Sequence, residues 1–218
     1  MYSCFVFALP LQTVPEYFQS DVPAGIQKRQ SDHGDIPGLQ YTAAVNGKEA
    51  VAIITDCKYG YRGIENRLYA TLINSSANPD PYPELGEHVI KLWITVNESD
   101  PKILHDQAFS LCHPVSIVSG TPHSGSLAPA KELVHLDSAS TVLSSCGITN
   151  AGDLLIRVYE TAGKNDDVDI TVPFEVKKAC LVDLNGENLT DNKSLSVKSN
   201  KICFKIPPFR IHGLKVGF

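Results

Sequence analysis

Short apolar segments recur along most of this chain, and they are rich in β-branched and aromatic residues. Each is bounded by Gly, Pro, Asn or Asp, an arrangement that predicts strands separated by turns. Segments 67–74 and 87–96 mix alternation with continuous apolar stretches, as is typical of sandwich strands, some of them covered on both faces. The predicted strands are 2–9, 39–46, 50–55, 67–74, 87–96, 153–160, 175–182, 201–206 and 209–216.

One segment follows a helical pattern instead. Asp100 is a suitable N-cap, and Pro101 falls at the first helical position. Apolar residues of one helical face then follow at Leu104, Ala108 and Leu111. We therefore expect a mainly β protein with one short helix near 101–112.

The region between residues 119 and 131 is rich in Ser, Gly, Pro and Ala, which is typical of a linker. It divides the chain into residues 1–118 and residues 132–218, both rich in predicted strands. We expect an antiparallel β-sandwich in the first part and a smaller C-terminal β-sandwich in the second.

Composition narrows the class of protein. Hydrophobic residues make up 43% and charged residues 20% of the 218 positions, as in ordinary globular proteins. The net charge of −5 argues against a nucleic-acid partner, which needs a basic surface. No apolar segment approaches the roughly 20 residues that span a bilayer, so no membrane partner is expected.

Six cysteines are spread widely, at Cys4, Cys57, Cys112, Cys146, Cys180 and Cys203. Because no CxxC pair occurs, the spacing does not favour a zinc site, which normally has at least one close pair of ligands. A chain of this length does not need disulfides to fold, so free thiols are expected. Free thiols agree with a cytoplasmic location.

Local motifs give little chemistry by themselves. The acidic segment 165–169 has two interpretations, a calcium loop or a solvated hairpin tip, and the missing EF-hand Gly and Glu favour the hairpin tip. The tetrad 32–35 brings acidic and histidine side chains together, at best within a loop. Arg157 and Glu160 are open between a site role and a strand-edge charge. Trp93, between Leu92 and Ile94, is interpreted as core rather than as a sugar platform.

A family resemblance extends this picture. Thr55-Asp56-Cys57-Lys58-Tyr59-Gly60-Tyr61 resembles a signature of glycoside hydrolase family 38, best matched in the cytosolic and bacterial branch of α-mannosidases. Further similar segments follow in the family's order across residues 22–218. They are Val22–Gly25, Lys28-Arg29, Arg67-Leu68, Leu72-Ile73, Asn78–Pro81, Gly86–His88, Leu154–Gly163 and Pro208–Ile211.

The resemblance implies a non-catalytic C-terminal β region of an α-mannosidase, with residues 1–118 forming the later part of a large sandwich. The full-length enzyme would hydrolyse terminal α-mannosides with retention and would hold a divalent metal, zinc, in a catalytic domain ahead of this region. No catalytic or metal-binding residue is assigned to this chain. We therefore expect the chain alone to be inactive and to carry no cofactor of its own. The alternative is a stand-alone carbohydrate-binding β-sandwich module.

The substrate-binding candidates are Asp56, Lys58, Tyr59 and Tyr61. Tyrosine rings offer flat faces for sugar stacking, and the two charged side chains can bind hydroxyl groups. The competing interpretation is a tight hairpin in which Asp56 caps its own turn and both tyrosines are core. The expected partners are α-mannoside glycans and the enzyme's own catalytic domain. Unpaired edges in residues 1–118 also predict a homodimer of this chain.

Overall fold

The computed structural model describes residues 4–31, 34–75, 84–121, 124–125, 128, 130–189 and 195–218. Antiparallel sheets dominate, with one α-helix in the described residues, which confirms the predicted fold class. The chain divides into two compact units, Met1–Pro114 and Val115–Phe218. Residues 32–33 of the acidic tetrad, and Asn78–Pro81 of the family-like segments, lie outside the described residues.

The first unit contains two sheets. Its strands are β1 (Cys4–Pro10), β2 (Tyr17–Val22), β3 (Gly25–Arg29), β4 (Ile36–Pro37), β5 (Tyr41–Asn46), β6 (Glu49–Ile54), β7 (Gly60–Ile64), β8 (Arg67–Asn74) and β9 (Trp93–Glu98). The first sheet has the order β1-β8-β7-β4, and the second sheet has the order β3-β2-β5-β6-β9.

The second sheet is covered on both faces, because alternate residues of its central strands enter different cores. Ala44 and Ile53 pack toward the first sheet together with Leu68. Tyr41 and Ala52 pack on the opposite face, against the helix. This double burial explains why strands β5 and β6 have nearly continuous apolar sequences.

Helix α1 spans Pro101–Cys112 and begins as its sequence predicts. The Asp100 carboxylate accepts hydrogen bonds from the amides of Lys102 and Ile103, at 2.8 and 3.3 Å. The helix buries Leu104 and Ala108 against the second sheet, and the partly buried Trp93 packs on the same core, as the sequence predicted.

The second unit is a two-sheet sandwich around one core. Its strands are β10 (His135–Asp137), β11 (Thr141–Ile148), β12 (Leu154–Glu160), β13 (Asp166–Thr171), β14 (Lys178–Val182), β15 (Ser196–Lys198), β16 (Lys201–Ile206) and β17 (Ile211–Gly217). The third sheet has the order β10-β13-β16-β15, and the fourth has the order β11-β12-β17-β14. Ile156, Ile170, Ile202 and Leu214 are among the residues buried between them.

The structure corrects two interpretations in the second unit. The acidic segment 165–169 is not a hairpin tip, because strand β13 begins at Asp166 and is paired on both sides. The buried Asp166 carboxylate accepts hydrogen bonds from the Ser140 amide at 2.9 Å and the Thr141 hydroxyl at 2.8 Å. Glu160 is not a strand-edge charge either, since it is fully buried and ends a central strand.

The Glu160 carboxylate connects two loops to strand β12. Its Oε1 accepts a hydrogen bond from the Ala162 amide at 2.7 Å, and its Oε2 accepts bonds from the Gly163 and Phe209 amides at 2.8 and 2.9 Å. Burial acts to raise the pKa of Glu160, but the hydrogen bonds outweigh it and the pKa is lowered. Arg157, by contrast, donates to the Leu184 carbonyl at 3.2 Å.

The predicted strand at 87–96 is wrong in its first half, since β9 begins only at Trp93. Eight strands of the described residues were not predicted: β2, β3, β4, β7, β10, β11, β13 and β15. Composition explains several of these misses, since β2 and β13 contain polar or acidic residues and β7 contains two glycines. Among the described residues, no helix has the length and apolar character needed to cross a membrane.

Candidate functional site

The candidate site is the segment Thr55–Tyr61, here called the binding turn, which connects β6 in the second sheet to β7 in the first. It begins at a fully buried residue, Thr55, whose amide donates to the Gln40 carbonyl at 2.9 Å. The Thr55 hydroxyl in turn accepts a hydrogen bond from the Cys57 amide at 3.4 Å. The start of the turn is thereby fixed to the sheet.

Two further hydrogen bonds hold the tip of the binding turn. The Tyr61 hydroxyl donates to the Lys58 carbonyl at 3.0 Å. The Gly38 amide donates to the Tyr59 carbonyl at 3.0 Å. Because consecutive carbonyls are held from two sides, the backbone that carries the candidate side chains has a defined position.

Tyr61 supports the turn from inside. Its ring is fully buried in the core between the first and second sheets. Gly38 lies so close that a Cβ atom there would be 2.8 Å from the ring. Burial, and then the nearby negative charge of Asp21, raise the pKa of Tyr61 well above its usual value. The ring therefore offers no accessible face to a sugar in this chain.

The other three candidates point outward. Tyr59 is 60% exposed, Asp56 is exposed and Lys58 is partly exposed. The turn thus presents an aromatic face beside a carboxylate and an ammonium group. The role of these side chains in substrate binding stays a prediction. Of the four candidate residues, three are thus accessible and one, Tyr61, is a buried support.

A buried carboxylate that the sequence analysis did not single out positions the loop beside the binding turn. Asp21, only 2% exposed, accepts hydrogen bonds through Oδ1 from the amides of Leu39, Gln40 and Tyr41 at 3.0 to 3.1 Å. Burial raises the pKa of Asp21, although these hydrogen bonds oppose it. The carboxylate fixes the loop whose Gly38 holds Tyr59.

A second polar cluster lies where the binding turn enters β7. Arg62 Nε and Asp35 Oδ1 are 2.7 Å apart, and the Thr71 hydroxyl donates to Asp35 Oδ2 at 2.9 Å. A Cβ atom at Gly60 would lie 3.3 Å from Thr71, so the absence of a side chain lets the strands approach closely. Asp35, which belongs to the tetrad 32–35, therefore forms a structural ion pair with Arg62. No sequence spacing connects these positions, which lie 27 to 36 residues apart.

The binding turn offers Asp56, Lys58 and Tyr59 as accessible contact groups. Within the described ranges, no group of three or more His, Cys, Asp or Glu side chains is placed to hold a metal ion. All six cysteines are unpaired. Stacking on Tyr59 and hydrogen bonding by Asp56 and Lys58 are what this surface can supply.

The fold and the site together describe a β-sandwich protein with an exposed turn that carries Asp56, Lys58 and Tyr59. Residues 147–214 match the glycosyl hydrolases family 38 C-terminal beta sandwich domain. This match in the second unit supports the resemblance to a C-terminal region of glycoside hydrolase family 38 that was found in the sequence, while the cytosolic and bacterial branch stays a prediction. The matched residues include all of β12 and the first four residues of β17, the two central strands of the fourth sheet.

Two curated relatives are similar over most of this chain. An alpha-mannosidase of Saccharomyces cerevisiae is 25% identical over 192 residues, which cover 78% of this chain and 18% of the relative. Alpha-mannosidase G of Dictyostelium discoideum is 26% identical over 171 residues, which cover 74% of this chain and 15% of the relative. The chain thus spans less than a fifth of the length of either relative.

Solved structures agree on the fold. The crystal structure of an alpha-mannosidase from Enterococcus faecalis V583 matches 98% of this chain with a TM-score of 0.82 at 15% identity. A glycosyl hydrolase family 38 protein from Enterococcus faecalis matches the same share with a TM-score of 0.80. In both, the matched part is 26% of the solved chain.

Proposed function

We propose that this chain is the non-catalytic C-terminal β region of an α-mannosidase, and that its binding turn borders the enzyme's active site. The full-length enzyme would hydrolyse terminal α-mannosides with retention, using a divalent metal and a nucleophile held in its own catalytic domain. The observation that carries the proposal is the binding turn itself. Its backbone is held by Gly38 and Tyr61, while Asp56, Lys58 and Tyr59 face outward.

Such a turn contributes to catalysis by positioning. A rigid aromatic face limits the orientations of a bound sugar, and orientation can account for several kcal/mol of a reaction barrier. Since the chain spans less than a fifth of its α-mannosidase relatives, this contribution is proposed for the longer enzyme. The six unpaired cysteines support a cytoplasmic location for that enzyme.

The test has two stages. The 218-residue chain alone should not hydrolyse p-nitrophenyl α-mannoside, and zinc-dependent turnover by the pure chain would contradict the proposal. In the native full-length polypeptide, Tyr59→Ala should lower kcat/KM for the same substrate by about tenfold, the equivalent of one lost stacking contact. Phe5→Ala is the matched control, because Phe5 is also an aromatic residue that is 60% exposed in the same unit.

A stand-alone carbohydrate-binding module is the second candidate, since Tyr59, Asp56 and Lys58 are accessible in this chain as it stands. An NMR titration of the chain with methyl α-mannoside separates the two. A module should bind through residues 56–59, with Tyr59→Ala abolishing the shifts. Saturable binding to the chain, with no associated hydrolase in the native source, would favour the module over the enzyme region.

A further inference from the structure

Strand β9 is the least protected sheet edge in the residues that the structure describes. Exposed edges are normally blocked by charges, proline, bulges or short length. Strand β1 ends in Pro10 and has an irregular register between Phe5 and Val6. Strand β3 carries Lys28 and Arg29. Strands β4, β10 and β15 are only two or three residues long.

The edge strands β11 and β14 are also protected, whereas β9 is not. Strand β11 has an irregular register between Leu143 and Ser145. Strand β14 is covered, since the Leu189 amide donates to the Leu181 carbonyl at 2.9 Å. Strand β9 has an uninterrupted register with β6, contains no proline or lysine, and carries its one charge at its last residue, Glu98.

The hydrogen-bond register shows which groups of β9 face outward. The Ser99 amide donates to the Lys48 carbonyl at 2.9 Å, which extends the β6–β9 register by one pair. Because hydrogen-bonded pairs alternate along antiparallel strands, the backbone groups of Trp93, Thr95 and Asn97 face β6. Those of Ile94 and Val96 face away from the sheet.

The side chains at these outward positions are apolar and accessible. Ile94 is 51% exposed and Val96 is 72% exposed. Val96 also lines a groove of about 260 Å³, together with Leu9 of β1, Leu11 just after it and Val51 of β6. In the part of the chain that the structure describes, no strand pairs with the outer side of β9, and apolar side chains lie on the same short edge, as an added strand would require.

We propose that β9 pairs with β9 of a second copy of this chain, antiparallel and about a two-fold axis at Thr95. In this register Ile94 of each copy lies opposite Val96 of the other, so the apolar side chains meet at the mouth of the groove. Glu98 falls opposite residue 92 rather than opposite another Glu98, so no like charges face each other. A two-fold axis covers the same edge on both copies at once.

The proposal concerns this 218-residue chain and does not depend on its role in an α-mannosidase. Light scattering across a dilution series should show a monomer–dimer equilibrium. Val96→Lys places a charge at the pairing edge and should raise the dissociation constant at least about tenfold. Ile148→Lys is the control, because Ile148 is 63% exposed on edge strand β11 and the same charge is added there.

A cysteine substitution tests the register directly. Thr95 would face its own copy at a non-hydrogen-bonded position, where Cα atoms are about 4.5 Å apart, within disulfide range. Oxidation of the Thr95→Cys variant should give a dimer linked by a disulfide between its two introduced thiols, identified by mass spectrometry of its peptides. The Glu98→Cys variant should not link to itself through its introduced thiols, since the two copies of that position would be separated by about 20 Å along the strands.

A monomeric mass at every concentration would overturn the proposal. So would a dimer that persists unchanged in Val96→Lys, because the contact would then lie elsewhere. If the dimer is lost in Val96→Lys and kept in Ile148→Lys, but the introduced thiols link in the Glu98→Cys variant and not in the Thr95→Cys variant, the proposed register is overturned.

Discussion

Each unit of this protein contains a buried carboxylate that accepts several backbone hydrogen bonds, yet the two groups titrate in opposite directions. The pKa of Asp21, in the first unit, is raised by burial in spite of three amide donors. The pKa of Glu160, in the second, is lowered because its hydrogen bonds outweigh its burial. Both side chains are at most 2% exposed, so exposure alone does not set the direction.

Asp21 and Glu160 differ in how deeply each carboxylate is buried and in how its hydrogen-bond donors are arranged. Asp21 lies beneath the loop 38–40, deep between packed layers, whereas Glu160 lies just under the surface next to Gly163 and Phe209. Oδ1 of Asp21 accepts all three amides and its Oδ2 only shares the Gln40 amide, at 3.0 Å, whereas the two oxygens of Glu160 accept from different amides. A carboxylate that connects a loop to a sheet can therefore have either a lowered or a raised pKa.

The largest expected effect follows from the separate amide donors on the two oxygens of Glu160. Glu160→Gln replaces one acceptor with an NH₂ group that must face a backbone N–H, so the second unit should lose about 3 kcal/mol of unfolding free energy. Hydrogen exchange of amides in β12 and β17 measures this loss. Glu175→Gln, at an exposed position of the same unit, is the control and should change little. Equal losses for both variants would contradict the anchoring role of Glu160.

Asp21→Asn should have a smaller effect, about 1 kcal/mol. The asparagine oxygen can keep the position of Oδ1 and accept the same three amides, so only the second contact of the Gln40 amide, to Oδ2, is lost. The substitution also removes a charge that burial disfavours. The fluorescence of Trp93, the single tryptophan, reports the unfolding of the first unit. A loss larger than that of Glu160→Gln would reverse the comparison between the two carboxylates.

Acidification should affect the stability of the two units differently. The pKa values of Glu160 and Asp166 are lowered in the folded state. Their contribution to stability is therefore complete above their unfolded pKa values, 4.5 and 3.8, and it is lost as the pH falls through the folded pKa values. The pKa of Asp21 is raised from 3.8 in the folded state. Its contribution to stability is therefore complete below pH 3.8 and is lost as the pH rises through the folded pKa. Hydrogen exchange followed from about pH 6 to about pH 3 should therefore show the second unit weakening first. Earlier weakening of the first unit would be the contrary result.

The smallest effect concerns thiols. All six should react under denaturing, non-reducing conditions, since none is paired. In the native state Cys112 should react slowly at about pH 8, because burial, and then the charge of Asp56, raise its pKa to about 11. Timed maleimide labelling with peptide mass spectrometry gives the rates. Rapid native labelling of Cys112 would mean that the end of α1 is more open than described.

Sequence reasoning succeeded where burial and composition agree. Strands β5 and β6 are apolar because both faces of their sheet are covered, and α1 has a recognisable N-cap. It failed where polar groups are buried: β2 contains Gln19 and Asp21, whose partners at Tyr41 and the preceding loop lie about twenty residues away. It also failed at β7, where the Phe18 ring packs so closely on Gly63 that no Cβ atom would fit.

The candidate site divides in the same way. The family resemblance located the binding turn, but four neighbouring side chains of similar promise could not be separated by their sequence. Tyr59 and Tyr61 differ only by which face of the chain meets the core, and that depends on Gly38 and on the packing of two sheets. Residues two apart on a strand lie on the same face, so alternation predicts the same environment for both tyrosines. Only the tertiary structure shows that the turn separates them and buries Tyr61.

The most direct measurement of the proposed function is to recover the native polypeptide that contains this sequence and determine its mass and its activity. An affinity tag placed in the gene at the end of this region would allow purification from the native source. The proposal predicts a polypeptide several times larger than 23.7 kDa that hydrolyses p-nitrophenyl α-mannoside and loses that activity with a metal chelator. A native product of 23.7 kDa, without α-mannosidase activity of its own or of a co-purifying chain, would contradict it.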